Sequence, residues 1–213
     1  MTIVDLTWRV DLQTADKAKE NLEKAKGGHL GTHFDVMSGR SSECHPSSLE
    51  DGRVASDEDE VNKEFPLEYM ERDAVVFDVA ECGTERDITL DDIDINEVPE
   101  GGFVAFRTGY IEQIGYGTKE YFQHHPALSM QLIDALLDRH VAIIAVDFAG
   151  VRNGKEHTPT DQICADRGTF IVENVCNLAV VLNGNKSAHF TAGTYPVNFV
   201  GMTGLPCRVV ARV

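Results

Sequence analysis

The stretch Gly27–Met37, GGHLGTHFDVM, places two histidines and an aspartate at offsets of four and two residues. On a helix, His29 and His33 would share a face, but Asp35 would point away, and the Gly-Thr pair between the histidines is a poor helix former. A strand accommodates the pattern better, because with a period of two residues His29, Gly31, His33 and Asp35 all project from one side. We therefore predict a strand here, with Gly31 leaving space between the two imidazoles.

This arrangement predicts a metal site. Two neutral imidazoles and a carboxylate that converge on one space form a ligand set suited to zinc, manganese or iron. The alternative is that His29 and His33 are ordinary surface or core residues. A chance match of the two histidines with the added Asp35 is expected in about one such chain in fifty, so the metal interpretation is favoured.

Composition narrows the class of protein. The chain has 213 residues with 42% hydrophobic content, which predicts one domain with a substantial core. Its 19 basic and 35 acidic residues give a net charge of −16, which argues against nucleic acid or an anionic membrane as partner and favours cations and small molecules. The start lacks a signal-peptide pattern and no run is long enough to span a membrane, so a cytoplasmic location is expected. Five cysteines without a CxxC pair predict free, mostly buried thiols.

The hydrophobic pattern predicts alternating strands and helices. The clearest helix is PALSMQLIDALLDRH, opened by Pro126, and it leads into VAIIAVDFAG, an apolar run typical of a buried strand. TIVDLTWRV, RDAVVFDVA and GGFVAFRTGY predict further strands, the tail predicts two more, and TADKAKENLEKAKGG predicts a helix before the histidines. The polar, acidic residues 38–64 predict a surface loop or flap. We predict a single α/β domain over residues 1–213.

HLGTHFD resembles the HxGTHxD signature of the Putative cyclase family, metal-dependent hydrolases that include bacterial kynurenine formamidase and isatin hydrolase. YFQHHPALSMQLIDALLDRHVAIIAVD, RGTFIVENVCNL and PVNFVGMTGLPCRVVARV resemble later segments of the same family. The resemblance covers most of the chain after residue 28. It implies a swivelling β/β/α fold of the cyclase and kynurenine formamidase type and a homodimer or higher homo-oligomer.

The resemblance also implies a ligand set. By it, His29, His33 and Asp35 bind one or two divalent ions per chain, zinc or manganese, with Asp35 able to bridge. The family's glutamate falls on Glu173, which would serve a second metal position and is a candidate catalytic residue.

The chain departs from the family pattern at several positions. The family continues as HxGTHxDxPxH, where the last histidine transfers protons, but Met37 and Gly39 stand at the proline and histidine positions. A metal-binding histidine of the family, twelve residues before the glutamate, is Asp161 here. The loop that usually shapes the substrate pocket is replaced by the predicted helix before Gly27.

These departures leave several roles open. Asp161 is either a ligand, in a carboxylate-rich site that leans towards manganese, or part of a helix start capped by Thr158. His157 either supplies the missing imidazole or is an exposed loop histidine. His45 either transfers protons over the metal or is a plain loop residue. Cys44 as a nucleophile beside His45 is a further possibility, and it predicts activity that survives chelation.

The function we predict is metal-dependent hydrolysis of a small amide or cyclic amide-like substrate, similar to that of an arylformamidase. A water activated by the metal attacks the carbonyl, and Glu173, Asp161 or His45 moves the proton. Because Gly39 replaces the usual histidine, the alternative is a non-catalytic relative that binds a metal or a small molecule. An approach of His45 or His157 to the metal position would favour the enzyme.

Overall fold

The computed structural model of the chain describes residues 1–10, 28–36, 67–197 and 203–213. The predicted helix before Gly27 and the predicted flap at 38–64 lie outside these residues. Gly39, Cys44 and His45 therefore lie outside the described residues as well, and the predictions made for them stay predictions.

One mixed sheet organises the described residues. Its strands are β1 (Ile3–Asp5), β2 (His33–Asp35), β3 (Glu71–Asp78), β4 (Phe103–Arg107), β5 (Ile143–Val146), β6 (Phe170–Glu173), β7 (Ser187–Pro196) and β8 (Gly204–Arg212). Their order is β1-β8-β2-β6-β5-β4-β3-β7, and β7 also pairs with β8, so seven strands close into a barrel that β1 extends at β8. The strands β3 to β6 run parallel to one another, and the remaining pairs are antiparallel.

Helices connect and cover the parallel strands. They are α1 (Tyr110–Ile114), α2 (Lys119–Gln123), α3 (Met130–Asp138), α4 (His157–Asp166) and α5 (Leu178–Leu182), with short 3-10 helices at Leu67–Met70, Ala80–Cys82, Leu90–Asp92, Ile95–Glu97 and Gly154–Glu156. This arrangement confirms the predicted α/β fold class.

Helix α3 shows how local sequence sets an element. The predicted apolar face is buried. The helix begins later than predicted, because the Ser129 hydroxyl accepts a hydrogen bond from the Leu132 amide at 3.2 Å and caps it. Proline has no side-chain acceptor, so the prediction that Pro126 opens the helix was wrong.

Two apolar clusters occupy the two faces of the sheet. In β4, Val104 and Phe106 belong to the cluster that packs on α3, while Phe103 and Ala105 belong to the cluster on the opposite face. Both faces are covered, which explains the continuous apolar runs of the parallel strands. In β2, Phe34 joins the cluster on the opposite face, so its neighbours His33 and Asp35 project towards the face that carries α3.

Two further predictions concern membranes and thiols. No helix in the four described segments is long and apolar enough to cross a membrane. Four cysteines within those segments are free and buried, as predicted: Cys82, Cys164, Cys176 and Cys207.

Candidate metal centre

Two strands and one helix bring the candidate ligands together. His33 and Asp35 project from the same side of β2, as the period of two predicts. His33 aligns with Glu173 on the neighbouring antiparallel strand β6, so these two side chains share a face. Helix α4 adds His157 and Asp161, which lie four residues apart on one face of that helix.

His29 reaches the cluster by a different route from the one predicted. The chain turns at Gly28 and Gly31, with φ of +88° and +62°, and β2 begins only at His33. The prediction of one extended strand through His29 was therefore wrong. A Cβ added at Gly31 would lie 2.7 Å from Val10 Cγ2, so this glycine serves the turn and the close packing of Val10 rather than a space between the imidazoles.

The first group of ligand atoms comes from β2 and the turn before it. His29 Nδ1 lies 2.9 Å from Asp35 Oδ1 and 3.1 Å from His33 Nε2. His33 Nε2 lies 3.3 Å from the same Asp35 oxygen. Three potential ligand atoms thus surround one position.

The second group shares Asp35 and draws on α4 and β6. His157 Nε2 lies 3.1 Å from Asp161 Oδ2, 3.5 Å from Glu173 Oε1 and 3.8 Å from Asp35 Oδ2. Ligand atoms within each of the two groups lie no more than 4.8 Å from one another. Because Asp35 belongs to both groups, one carboxylate joins two adjacent candidate positions.

The buried carboxylates of this cluster lie near imidazole nitrogens, but several of their oxygens form no hydrogen bond. Asp35, Asp161 and Glu173 are buried, and four of their oxygens make no hydrogen bond: Asp35 Oδ1, both carboxylate oxygens of Asp161, and Glu173 Oε1. Burying a charged oxygen without a partner is costly, whereas a cation satisfies several such oxygens at once. The residues present therefore fit a divalent metal ion.

Mutual electrostatics of the cluster support the same conclusion. Burial would lower the pKa of His33 and of His157, but the surrounding carboxylates, Asp35 first, raise these values to about 9 and about 10. Burial raises the pKa of Asp161 well above its usual range, and the charges of Asp35 and Glu173 add to this effect. Burial and the charge of Asp35 also raise the pKa of Glu173. Crowded negative charges of this kind are relieved by a cation.

Residues behind the ligands fix their orientation. His33 Nδ1 donates to the Gly31 carbonyl at 2.9 Å, which leaves the Nε2 lone pair for the cluster. The Asn174 side-chain amide donates to the same carbonyl at 3.0 Å, and the Tyr121 hydroxyl donates to Asn174 Oδ1 at 2.5 Å. His29 Nε2 contacts Thr203 Oγ1 at 2.8 Å.

Two glycines that the sequence analysis did not single out make room for the imidazoles. Gly204 lies opposite Asp35 on β8, and an added Cβ would come within 3.0 Å of the His29 ring. Gly150 has φ of +99°, and an added Cβ would overlap the His157 ring. The signal for Gly150 was its position at the end of the apolar run VAIIAVDFAG, shortly before His157. The role of Gly204 depends on strand pairing that is distant in sequence.

A pocket of about 350 Å³ opens on the cluster. Its lining combines candidate ligands with apolar and aromatic side chains, among them Tyr116, Phe122, His125 and Ala149. Among the residues that the structure describes, Glu173 is the one carboxylate in this lining. Asp35 and Asp161 do not line the pocket. The site can therefore hold a metal beside a cavity of small-molecule size.

All six residues predicted as metal ligands meet in this cluster: His29, His33, Asp35, His157, Asp161 and Glu173. The alternative of a helix start capped by Thr158 was wrong, because α4 begins at His157 and Thr158 lies inside it. Asp161 is buried in the helix and faces the other ligands. His125 also lines the pocket.

The fold and the cluster together define an α/β protein with a histidine- and carboxylate-rich cluster that could hold a metal ion. The chain belongs to the Putative cyclase family, whose model matches residues 4–152. The family resemblance predicted from HLGTHFD is thereby confirmed.

Solved structures share this fold over nearly the whole chain. A structure of a potential metal-dependent hydrolase with cyclase activity has a TM-score of 0.68 at 20% identity, covering 99% of this chain and 96% of the other. Isatin hydrolase A from Labrenzia aggregata, bound to benzyl benzoate, has a TM-score of 0.68 at 19% identity, covering 99% and 93%. A predicted metal-dependent hydrolase from Bacillus stearothermophilus has a TM-score of 0.62 at 17% identity, covering 99% and 97%. No protein of curated function matches the sequence.

Proposed function

We propose that the protein is a metal-dependent hydrolase that cleaves a C–N bond in a small amide or cyclic amide-like substrate. The observation that carries this proposal is the meeting of three imidazoles and three buried carboxylates beside a pocket of about 350 Å³, with four carboxylate oxygens lacking a hydrogen bond. The similar fold of an isatin hydrolase, an enzyme named for a cyclic amide, supports the choice of substrate class.

The donor set suggests which ions bind. His29, His33 and Asp35 would hold one ion, and Asp35 with His157, Asp161 and Glu173 would hold a second. Three carboxylates among six donors favour a harder ion such as manganese over zinc. A bound divalent ion would supply an activated water and polarise the substrate carbonyl.

The chain's own residues would orient the reaction and move the proton. His33 is fixed by its bond to the Gly31 carbonyl, so its Nε2 keeps one direction. Glu173 is the buried carboxylate that also lines the pocket in the described structure, and its Oε1 makes no hydrogen bond. One carboxylate oxygen of Glu173 would hold the ion, and the other would take the proton of the attacking water and deliver it to the leaving nitrogen.

Aromatic side chains would hold the substrate. Tyr116 and Phe122 contact each other edge to face, with ring centroids 5.9 Å apart, and both line the pocket. Flat aromatic surfaces of this kind pack well against a planar aryl group. An aryl formamide or an aryl lactam has the size and shape that such a pocket accepts.

Metal content and turnover test the proposal together. The purified protein is loaded with manganese or zinc, dialysed and analysed for metal, and then assayed with formanilide and with isatin. We expect one or two ions per chain and hydrolysis of at least one substrate. His33→Ala should lose both, because His33 belongs to the ligand cluster.

A matched control variant distinguishes the effect of removing a metal ligand from the effect of removing a histidine elsewhere in the protein. His189→Ala removes a histidine whose side chain is 60% exposed and whose nearest acid is Glu97, away from the cluster. This variant should keep metal and turnover. Bound metal without turnover on either substrate would favour the non-catalytic relative, and absence of metal under every loading condition would refute the metal site. Turnover that survives chelation and is lost on alkylation would instead favour Cys44.

The cytoplasmic location and the homodimer or higher homo-oligomer stay predictions. Size-exclusion chromatography with light scattering measures the second of these directly.

A further inference from the structure

His125 is a buried histidine in the pocket that the proposed hydrolysis does not yet use. It lies just before Pro126, in the segment between α2 and α3, and the residue is only 4% exposed. It lines the pocket together with Glu173 and His157. A buried polar side chain on a pocket wall needs a partner or a ligand.

Three contacts hold the residue in place. The ring stacks on Phe148, with centroids 5.7 Å apart and an interplanar angle of 21°. His125 Nδ1 lies 2.7 Å from the Pro126 carbonyl oxygen. The side-chain amide of Asn153 donates to the His125 carbonyl at 2.9 Å. The imidazole therefore keeps one orientation.

The Pro126 contact decides the tautomer. A carbonyl oxygen can only accept, so Nδ1 carries the proton, and in the neutral ring Nε2 carries only a lone pair. Burial lowers the pKa of His125 to about 4, which keeps the ring neutral near pH 7. Nε2 has no hydrogen-bond partner among the residues that the structure describes.

We propose that His125 Nε2 accepts a hydrogen bond from the N–H of the substrate amide and so selects substrates that carry this N–H. The inference rests on the proposed hydrolysis, since it concerns the same pocket. Formamides of primary aryl amines and unsubstituted lactams offer the required donor. Esters, tertiary amides and N-alkylated lactams lack this N–H, and they would leave Nε2 without a partner.

The contact should act on binding more than on the chemical step. When the carbonyl is attacked, the planar amide nitrogen becomes amine-like and its N–H becomes a poorer donor. The hydrogen bond is then strongest in the ground state. Its loss should raise KM or Kd and change kcat little.

The test uses two ligands that differ at the nitrogen. Oxindole, an aryl lactam with one N–H, and N-methyloxindole are titrated calorimetrically into the manganese-loaded protein. We expect wild type to bind oxindole about tenfold more tightly, the size of effect that follows from leaving a buried acceptor unpaired. His125→Phe keeps a flat ring against Phe148 but has no acceptor, so its preference should fall to about twofold or less. His125→Gln restores an acceptor and should recover part of the preference.

Each outcome supports or refutes the hydrogen bond from the substrate N–H to His125 Nε2. Equal binding of the two lactams by wild type, or no binding of either, would refute it. A preference that persists unchanged in His125→Phe would also refute it, because the discrimination would then come from the size of the methyl group. Formanilide turnover is measured in parallel. Formanilide turnover without the N–H preference would contradict only the role of His125 and leave the proposed hydrolysis intact. The N–H preference without turnover would support the role of His125 and contradict the hydrolysis.

Discussion

Substituting Gly150 by alanine is expected to displace His157 from the metal cluster. Gly150 follows β5, and its φ of +99° is one that residues with a side chain rarely adopt. An added Cβ would overlap the His157 ring and lie 3.1 Å from Glu173 Oε1. The imidazole is the group that must move, so the second candidate position loses a ligand.

The expected magnitude has two separate parts. Backbone strain at this φ should lower the free energy of unfolding by about 1–3 kcal/mol. Displacement of the His157 imidazole should lower the affinity for the second ion by about 10–100-fold or more, the range found for perturbing a ligand or its support.

A matched variant isolates the second part. Gly184 has φ of +83°, and a Cβ added there meets nothing within 4 Å. Gly184→Ala should therefore show comparable backbone strain but bind metal as wild type does. Urea unfolding in EDTA measures the strain, and calorimetric titration with manganese measures affinity and stoichiometry.

The comparison has a clear refuting outcome. If Gly150→Ala binds manganese with the affinity and stoichiometry of Gly184→Ala, His157 does not hold a metal ion. The carboxylates Asp161 and Glu173 would then have to complete the second position without an imidazole.

Three further predictions address other parts of the fold. Gly204→Ala places a Cβ 3.0 Å from the His29 ring, so manganese affinity in calorimetric titration should fall about tenfold; unchanged affinity would contradict the positioning of His29. Chelation of the metal should lower Tm in scanning calorimetry, because a ligand at a thousandfold excess over Kd stabilises by about 4 kcal/mol; an unchanged Tm speaks against a bound ion. Burial raises the pKa of Asp147 from 3.8 to about 7. The folded state therefore keeps a proton that the unfolded state loses, and the free energy of unfolding should fall by up to about 4 kcal/mol between about pH 4 and 7. Asp147→Asn should remove this contribution and make the slope less steep, and equal slopes in urea unfolding of the two proteins would disprove it.

The hydrophobic pattern of the sequence predicted the strands and the helix whose formation depends on neighbouring residues. Apolar runs of strand length became β3, β4 and β5, and the helical spacing of leucines became α3. The period of two placed His33 and Asp35 on one side of a strand. These features depend on residues close in sequence, so no long-range information was needed.

Turn geometry and strand register lay beyond the local pattern. The turn that brings His29 to the cluster depends on positive φ at Gly28 and Gly31, which alternation in the sequence does not encode. Glu173 reaches His33 through the pairing of β2 with β6, two strands separated by more than 130 residues. Its place in the site was therefore implied only by the family resemblance.

The choice between ligand and cap for Asp161 depended on where α4 begins. A 3-10 turn at Gly154–Glu156 precedes the helix and sets its start at His157. This start moves Thr158 into the helix and directs His157 and Asp161 to one face. By the family resemblance, Asp161 stands where the family has a metal-binding histidine. The His157 imidazole, one helical turn earlier, lies beside Asp161, so the cluster has a nitrogen donor from α4 as well as this carboxylate.

The added carboxylate changes the charge balance of the site. Asp35, Asp161 and Glu173 carry three negative charges when ionised, and the three imidazoles are neutral when they bind metal. One divalent ion leaves one negative charge uncompensated, whereas two ions leave one positive charge. Attack on an amide carbonyl builds negative charge on its oxygen, which a net positive site stabilises and a net negative site opposes. Charge balance therefore favours the two-ion form for hydrolysis, and Asp35, shared by both groups of ligands, is the residue that would join the two ions.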